Sequence, residues 1–424
     1  MTSVVAWART WSGGASTKRH STSASRPGSP RNNHAIPAVC RPGGRQIAGR
    51  SRRDEDSSLA PPSDLLVRFQ DVHKTYDGEA FAVAALDLEI RRGEFLTLLG
   101  PSGSGKTTTL LLLAGFETPT RGDIIVNGAS IVDTPPHRRN FGVVFQNYAL
   151  FPHMSVRENV AFPLEVRGIP AADAQSRAER ALELVQLAGF ARRRPHQISG
   201  GQQQRTALAR ALVFEPTLVL LDEPLGALDK KLREQMQIEL KQLHERLGNT
   251  MISVTHDQSE ALTMSDRIAV FDYGRLQQIG APREVYDRPR NSFVARFVGE
   301  TNLANGRVAS VSGAECRVTL ETGETVVAST GAGVSASDRT SLILRPERLA
   351  LDPPPGQHVN RFGATVRDIV YGGDHVRCIL DAFGRRDWSV KVADPAVATA
   401  LAPGRRVEIA WHARDCLALD PAEG

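Results

Sequence analysis

The chain has 424 residues, 41% hydrophobic and 23% charged, which gives room for two or three domains, and no apolar run approaches the roughly 18 to 20 residues of a membrane span, so a soluble protein is expected. The formal charge is +5, but residues 1–53 hold ten Lys or Arg and no acid, leaving 42 basic against 47 acidic residues elsewhere, and this argues against a nucleic-acid surface on the folded part. The cysteines Cys40, Cys316, Cys378 and Cys416 form no CxxC pair, so neither a metal site nor a disulfide framework is expected, and a reducing compartment fits.

Residues 1–62 are rich in Ser, Arg, Pro and Gly, lack helical or strand periodicity, and end in RSRRDEDSS followed by Pro61 and Pro62, which reads as a disordered basic tail. The same composition imitates an organellar transit peptide, and a start site placed too early is a third reading, because the next methionine is Met154. From residue 64 to 298 short apolar runs alternate with helical stretches, the pattern of a parallel sheet covered on both faces. The runs are 95–99, 141–145, 218–221, 251–254 and 268–271.

The first of these runs breaks at once into Gly100, Pro101, Ser102, Gly103, Ser104, Gly105, Lys106, Thr107 and Thr108, with the spacing GxxxxGK[ST] of a phosphate loop. The glycines let backbone amides turn inward around phosphate oxygens, and the following helix aims its N-terminus at the same place. Lys106 is placed to bridge the β- and γ-phosphates, and Thr107 to set its hydroxyl on Mg²⁺.

Residues 147–210 hold no comparable strand but a charged amphipathic stretch, AADAQSRAERALELVQLAGF, which predicts a helical insertion. Within it ISGGQQQR, residues 198–205, opens a helix at Ser199, Gly200, Gly201 and Gln202, a second anion-binding end. LVLLDEP, 218–224, is a strand ending in two carboxylates: Asp222 is assigned to the metal and Glu223 to the base. Two phosphate-binding surfaces for one nucleotide suggest a nucleotide shared between two subunits. From residue 299 to 424 short alternating stretches separated by Gly, Pro and Asp predict a small all-β domain of OB-like barrel type, with no catalytic constellation.

Taken in order, these motifs resemble the nucleotide-binding subunit of an ATP-binding cassette (ABC) transporter over residues 64–298. Lys106, Gln146, Ser199, Asp222 and His256 fall 40, 53, 23 and 34 residues apart, as that family spaces them. The resemblance implies that Tyr76, in VHKTYDG, stacks on the adenine of ATP. It implies that Gln146, in VVFQNYALFPHMSV, touches Mg²⁺ and the attacking water and reports nucleotide state to a membrane partner. It further implies that Ser199 and Gly201 contact the γ-phosphate held by an opposite subunit, that Asp229, in GALD, crosses that interface, and that His256, in SVTHD, holds the γ-phosphate. The one departure in the signature is Ile198, where the family more often has Leu.

LRPERLAL and VRDIVYGGDHVRCIL, in the C-terminal region, resemble the regulatory domain of importers whose ATPase carries a barrel after the cassette. HRRNFGVVFQNYALFPHMSVRENVAFPL and GAPREVYDRPRNSFVARFVGETN look most like the ATPases of spermidine/putrescine importers, although relatives for iron(III), thiamine, sulfate and sugars share much of this text. The implied assembly is a head-to-tail ATP-sandwich dimer with two integral membrane permease subunits and a periplasmic solute-binding protein, held at the cytoplasmic face of the inner membrane. A soluble ABC protein acting on nucleic acid or ribosomes is the alternative; such proteins usually join two cassettes or carry a long coiled coil, and this chain has one cassette and no sustained heptads.

Overall fold

The computed structural model describes residues 64–422 except 332, 395, 396 and 398; the expected basic tail, 1–62, lies outside the described residues. Two sheets and a set of helices make up residues 64–298. The first sheet contains β1 (Leu65–Thr75), β2 (Phe81–Arg91), β4 (Arg121–Val126) and β5 (Ala129–Ser130), in the order β2-β1-β4-β5 and antiparallel throughout. The second contains β3 (Phe95–Leu99), β6 (Phe141–Val144), β7 (Leu218–Asp222), β8 (Thr250–Thr255), β9 (Arg267–Asp272) and β10 (Arg275–Gly280), in the order β10-β9-β3-β8-β7-β6. Its pairs are parallel except β9 with β10, an antiparallel hairpin at the edge.

All five residues of β3 and all six of β8 are buried, as expected of central parallel strands covered on both faces. Helix α1 (Lys106–Ala114) lies between the two sheets, because Leu110, Leu112 and Leu113 share one core with Leu66 and Phe69 of β1, Leu88 and Ile90 of β2, and Leu96 and Leu98 of β3. The reading by apolar runs found five of the six strands of the second sheet, all but the edge strand β10, and missed the first sheet. β1 and β2 bury one face only, so their sequence alternates instead of forming a run, and bulges in their pairing interrupt even that alternation.

The predicted insertion contains α2 (Val156–Val166), α3 (Ala171–Leu184) and α4 (Gly200–Leu212). These pack around a core of their own that includes Val160, Leu164, Ala178, Leu182 and Ala209, and Ile198 sits in this core, so the exchange for Leu is an apolar one in an apolar setting. Then follow α5 (Lys230–Leu247), α6 (Gln258–Met264), α7 (Pro282–Asp287) and α8 (Ser292–Phe297). No helix among the described residues is long and apolar enough to cross a membrane.

The remainder is all β, but more than one small barrel. β11 (Asn302–Ser312), β12 (Glu315–Leu320), β13 (Thr325–Thr330), β14 (Arg339–Leu344) and β20 (Cys416–Leu419) close a barrel in the order β11-β12-β13-β20-β14. Between β14 and β20 the chain inserts a five-stranded sheet: β15 (Ala350–Leu351), β16 (Asn360–Tyr371), β17 (Val376–Ala382), β18 (Arg385–Val392) and β19 (Arg406–Trp411), in the order β15-β19-β16-β17-β18. Barrel and sheet share one core, in which Val318 and Val326 meet Leu380, Trp388 and Ile409.

The all-β part is fastened to the α/β part through Arg345, which is buried and donates to the carbonyls of Ala295, Gly299, Glu300 and Tyr286 at 2.9–3.1 Å, with its guanidinium 4.2 Å over the Tyr286 ring. Gly299 has φ +94°, and a Cβ there would stand 2.5 Å from that ring, so the joint needs glycine.

Candidate active site

The loop from Gly100 to Gly105 leaves the buried strand β3 and feeds α1, whose N-cap is Gly105 in the left-handed region. No side chain caps this helix, and its first turn carries no acid, so its leading amides remain free for an anion. Gly105 has φ +96° and a Cβ would meet the Ala82 carbonyl at 2.2 Å, so the loop closes against β2 only with glycine. Lys106 is 5% exposed, and its Nζ donates to the carbonyls of Gly100 and Pro101 at 2.8 Å and to Ser104 Oγ at 3.4 Å. Burial lowers its pKa, and the carboxylates of Glu223 and Asp222 act the other way. An ammonium resting on neutral carbonyls leaves net positive charge at the centre of the loop, which is what an entering phosphate requires.

β7 delivers the two carboxylates beside this loop. Asp222 Oδ1 accepts from Thr107 Oγ1 at 3.3 Å, and its pKa is raised, first by burial and then by Glu223, against the lowering effects of Thr107 and Lys106. Glu223 follows in the left-handed region at φ +45°, a conformation costing a non-glycine residue on the order of 1–3 kcal/mol. That turn aims its carboxylate into a chain of hydrogen bonds. Gln146 Nε2 donates to Glu223 Oε2 at 2.7 Å, and His256 Nδ1 lies 3.1 Å from Glu223 Oε1. Since a carboxylate only accepts, Nδ1 carries the hydrogen, and Nε2 of the exposed ring faces away from this bond. The three residues assigned to catalysis, which lie 77 and 33 positions apart in sequence, thus meet directly.

Other assigned residues do not join this cluster. Ser199 is the N-cap of α4 in a capping box with Gln202: its Oγ accepts from Gln202 N at 3.4 Å, and Gln202 Oε1 accepts from Ser199 N at 2.9 Å. Among the described residues no hydrogen bond links 199–202 to 100–108. Gly200 and Ser199 are exposed, so this helix end faces outward. Asp229 is exposed and caps α5, accepting from Leu232 N at 3.0 Å. Tyr76, at 63% exposure, is no core residue; Lys74 Nζ sits 4.9 Å from its ring centroid.

No group of three or more His, Cys, Asp or Glu among the described residues could cage a metal ion. The residues present still fit Mg²⁺, which keeps several waters and takes one or two protein oxygens together with phosphate. Thr107 Oγ1 and Asp222 Oδ1 offer two such oxygens already side by side.

Sequence reasoning missed Arg233. It donates to Leu228 O at 3.0 Å and to Asp257 Oδ2 at 2.9 Å, so it joins the segment carrying Asp229 to the residue after His256. Asp257 in turn caps α6 through Ser259 N and Glu260 N. The only sequence signal is Arg233 standing four residues after a helix-capping Asp, which is too common to pick out.

The sequence profile of the family described as "ABC transporter" matches residues 83–226, and that of the "TOBE domain" matches 342–419. The chain is 48% identical to the "Spermidine/putrescine import ATP-binding protein PotA" of Rubrobacter xylanophilus, over 85% of this chain and 95% of that protein. Proteins of the same name from Acidothermus cellulolyticus and Roseobacter denitrificans are 46% and 49% identical, over 82% and 78% of this chain and 92% and 91% of theirs.

Proposed function

This chain belongs to the ABC transporter family of import ATP-binding proteins, and we propose that it hydrolyses MgATP to drive uptake of spermidine and putrescine. The observation that carries the chemistry is the hydrogen-bonded chain from Gln146 through Glu223 to His256, beside Asp222 and a buried Lys106. The solute assignment is supported by the names of the relatives.

In this reading Lys106 and the amides of residues 100–108 bind the β- and γ-phosphates, while the exposed ring of Tyr76 offers a platform for adenine. Mg²⁺, when bound through Thr107, Asp222 and Gln146, neutralises charge on the transferring phosphoryl oxygens. Glu223 accepts the proton of the attacking water. Its two oxygens are fixed by Gln146 and His256, and each keeps a lone pair for the water. With Nδ1 of His256 occupied by Glu223, only Nε2 is left to reach the γ-phosphate, and donation there requires the doubly protonated ring.

Ser199, Gly200, Gly201 and Gln202 serve the phosphates of a second copy, so two chains sandwich two nucleotides head to tail, with Asp229 at the interface. The dimer works at the cytoplasmic face of the inner membrane with two permease subunits and a periplasmic solute-binding protein. Uptake of labelled spermidine and putrescine in a strain lacking the gene tests the assignment: both should fall. Normal polyamine uptake with impaired uptake of iron(III), thiamine, sulfate or a sugar moves the solute to that relative's.

A further inference from the structure

The segment between Gln146 and α2 is held at two points by side chains that no motif marked. Tyr148 and Ala149 are consecutive non-glycine residues in the left-handed region, at φ +60° and +46°. Such a pair stores strain and persists only where its surroundings over-determine it. The holding group is Arg210, near the end of α4: Nη2 donates to Tyr148 O at 2.6 Å and Nη1 to Ala149 O at 2.7 Å, with the guanidinium 5.7 Å from the Phe151 ring centroid. Farther along, the fully buried Asn159 of α2 receives Phe151 N and donates to the carbonyls of Phe151, Met154 and Ser155. Backbone bonds inside the turn, Tyr148 N to Phe145 O at 2.8 Å and Ala149 N to Asn147 O at 2.7 Å, help to close it, while the buried Tyr148 hydroxyl has no hydrogen-bond partner, so the polar side chains that hold it come from outside.

We propose that Arg210 is a positioning residue for Gln146, its planar fork holding the strained carbonyls of Tyr148 and Ala149 so that Gln146 Nε2 meets Glu223. The inference rests on the proposed ATP hydrolysis at Glu223. It adds a directional consequence: Arg210 stands on the same helix that begins at Ser199, eleven residues earlier, so a shift of that helix on engaging a second copy's nucleotide displaces the carbonyls two and three residues beyond Gln146. Burial brings the guanidinium down to about 10, so it stays charged at physiological pH and no neighbouring carboxylate is needed to explain its setting. The planar fork fits here because Nη2 and Nη1 reach one carbonyl each and fix the two together, whereas a lysine ammonium, though able to bond two carbonyls as Lys106 does, lacks that rigid pair of donors.

The test uses the full chain and steady-state MgATP hydrolysis. Arg210→Lys, which keeps the charge and loses the fork, should lower kcat by about ten-fold with the ATP KM within about two-fold, because a misplaced orienting group costs turnover more than binding. Two readouts separate positioning from general support of the fold. First, the same substitution in a Gln146→Ala background should cost little further, since the group it orients is gone. Second, Ala149→Gly, which relieves the strain at φ +46°, should return at least half of the activity lost in Arg210→Lys. An unchanged kcat in Arg210→Lys, an equal loss in both backgrounds, or no rescue by glycine overturns the proposal. If Arg210→Lys lowers stability, the background comparison and the rescue still decide, since a stability defect alone predicts neither. Absence of MgATP hydrolysis in the parent protein would instead overturn the reading of the site itself.

Discussion

Glu223 combines three properties that a structural carboxylate has no need of together: a strained backbone, two orienting partners, and a place next to the metal-assigned Asp222. Replacing it with Gln keeps shape and reach but removes the proton acceptor, so hydrolysis should fall by roughly 10²–10⁴ while ATP binding persists. The variant should accumulate as an ATP-bound dimer of doubled mass on size exclusion; hydrolysis near the parent rate would put the base elsewhere, with His256 next. Asp222 makes the opposite trade. Burial raises its pKa above the ordinary 3.8, so the nucleotide-free fold carries a penalty for the ionised form that is present at neutral pH and disappears on acidification through the raised value. Asp222→Asn should therefore melt on the order of 2 °C higher than the parent at pH 7 without nucleotide, with the gap closing toward pH 4, and should hydrolyse no ATP. Equal melting at pH 7 would show that Lys106 and Thr107 already offset the burial.

Helix α1 shows how far an element depends on residues outside its own motif. Its first turn was legible from GxxxxGK[ST]; its last turn was not. The carbonyls of Leu112 and Leu113 accept from Nη1 of Arg139, a buried arginine whose Nε also donates to Thr134 O, so a distant cation caps this helix at its negative end. Arg139→Met should cost about 1–3 kcal/mol in denaturant unfolding by removing the donor to the Leu113 carbonyl and one of the two to Leu112, which keeps the Gly115 amide, and Arg139→Lys should recover only part of it. A cost under about 0.5 kcal/mol would mean that water reaches the helix end. The same division runs through the fold. β3, β7, β8 and β9 were legible because strands buried on both faces write themselves as apolar runs, whereas β1 and β2 were not, since one-sided burial with bulges leaves a broken alternation. Residues 100–108 and the pair Asp222 and Glu223 were legible because their chemistry is contiguous. Arg210 and Arg233 were not, for Arg210 works through backbone carbonyls that any residue supplies, and Arg233 through one such carbonyl and a carboxylate 24 positions away.

At the scale of the molecule, the proposed head-to-tail dimer makes the outward-facing helix end at Ser199 and the loop at Lys106 two halves of one binding surface, which a single chain does not bring into hydrogen-bond contact. Chains carrying Lys106→Ala bind no phosphate in their own loop, and chains carrying Ser199→Arg block the surface offered to a partner. Mixed in equal amounts, they should restore one intact composite site of two in each mixed dimer, which is about a quarter of the parent's composite sites if association is random, while neither variant alone should form any. No recovery at any mixing ratio would count against the shared arrangement. The all-β part carries a different kind of dependence. β20 is laid between β13 and β14 and seals a barrel that β11 began more than a hundred residues earlier. A ribosome therefore releases residues 100–108, Asp222 and Glu223 long before it releases the four residues that shut the barrel. A message cut short in that interval would yield a chain that carries residues 100–108 and Glu223 but leaves β13 and β14 as open strand edges, and such edges pair with other chains and aggregate. The last strand to be made is therefore the one that protects two earlier strands from pairing with a neighbour.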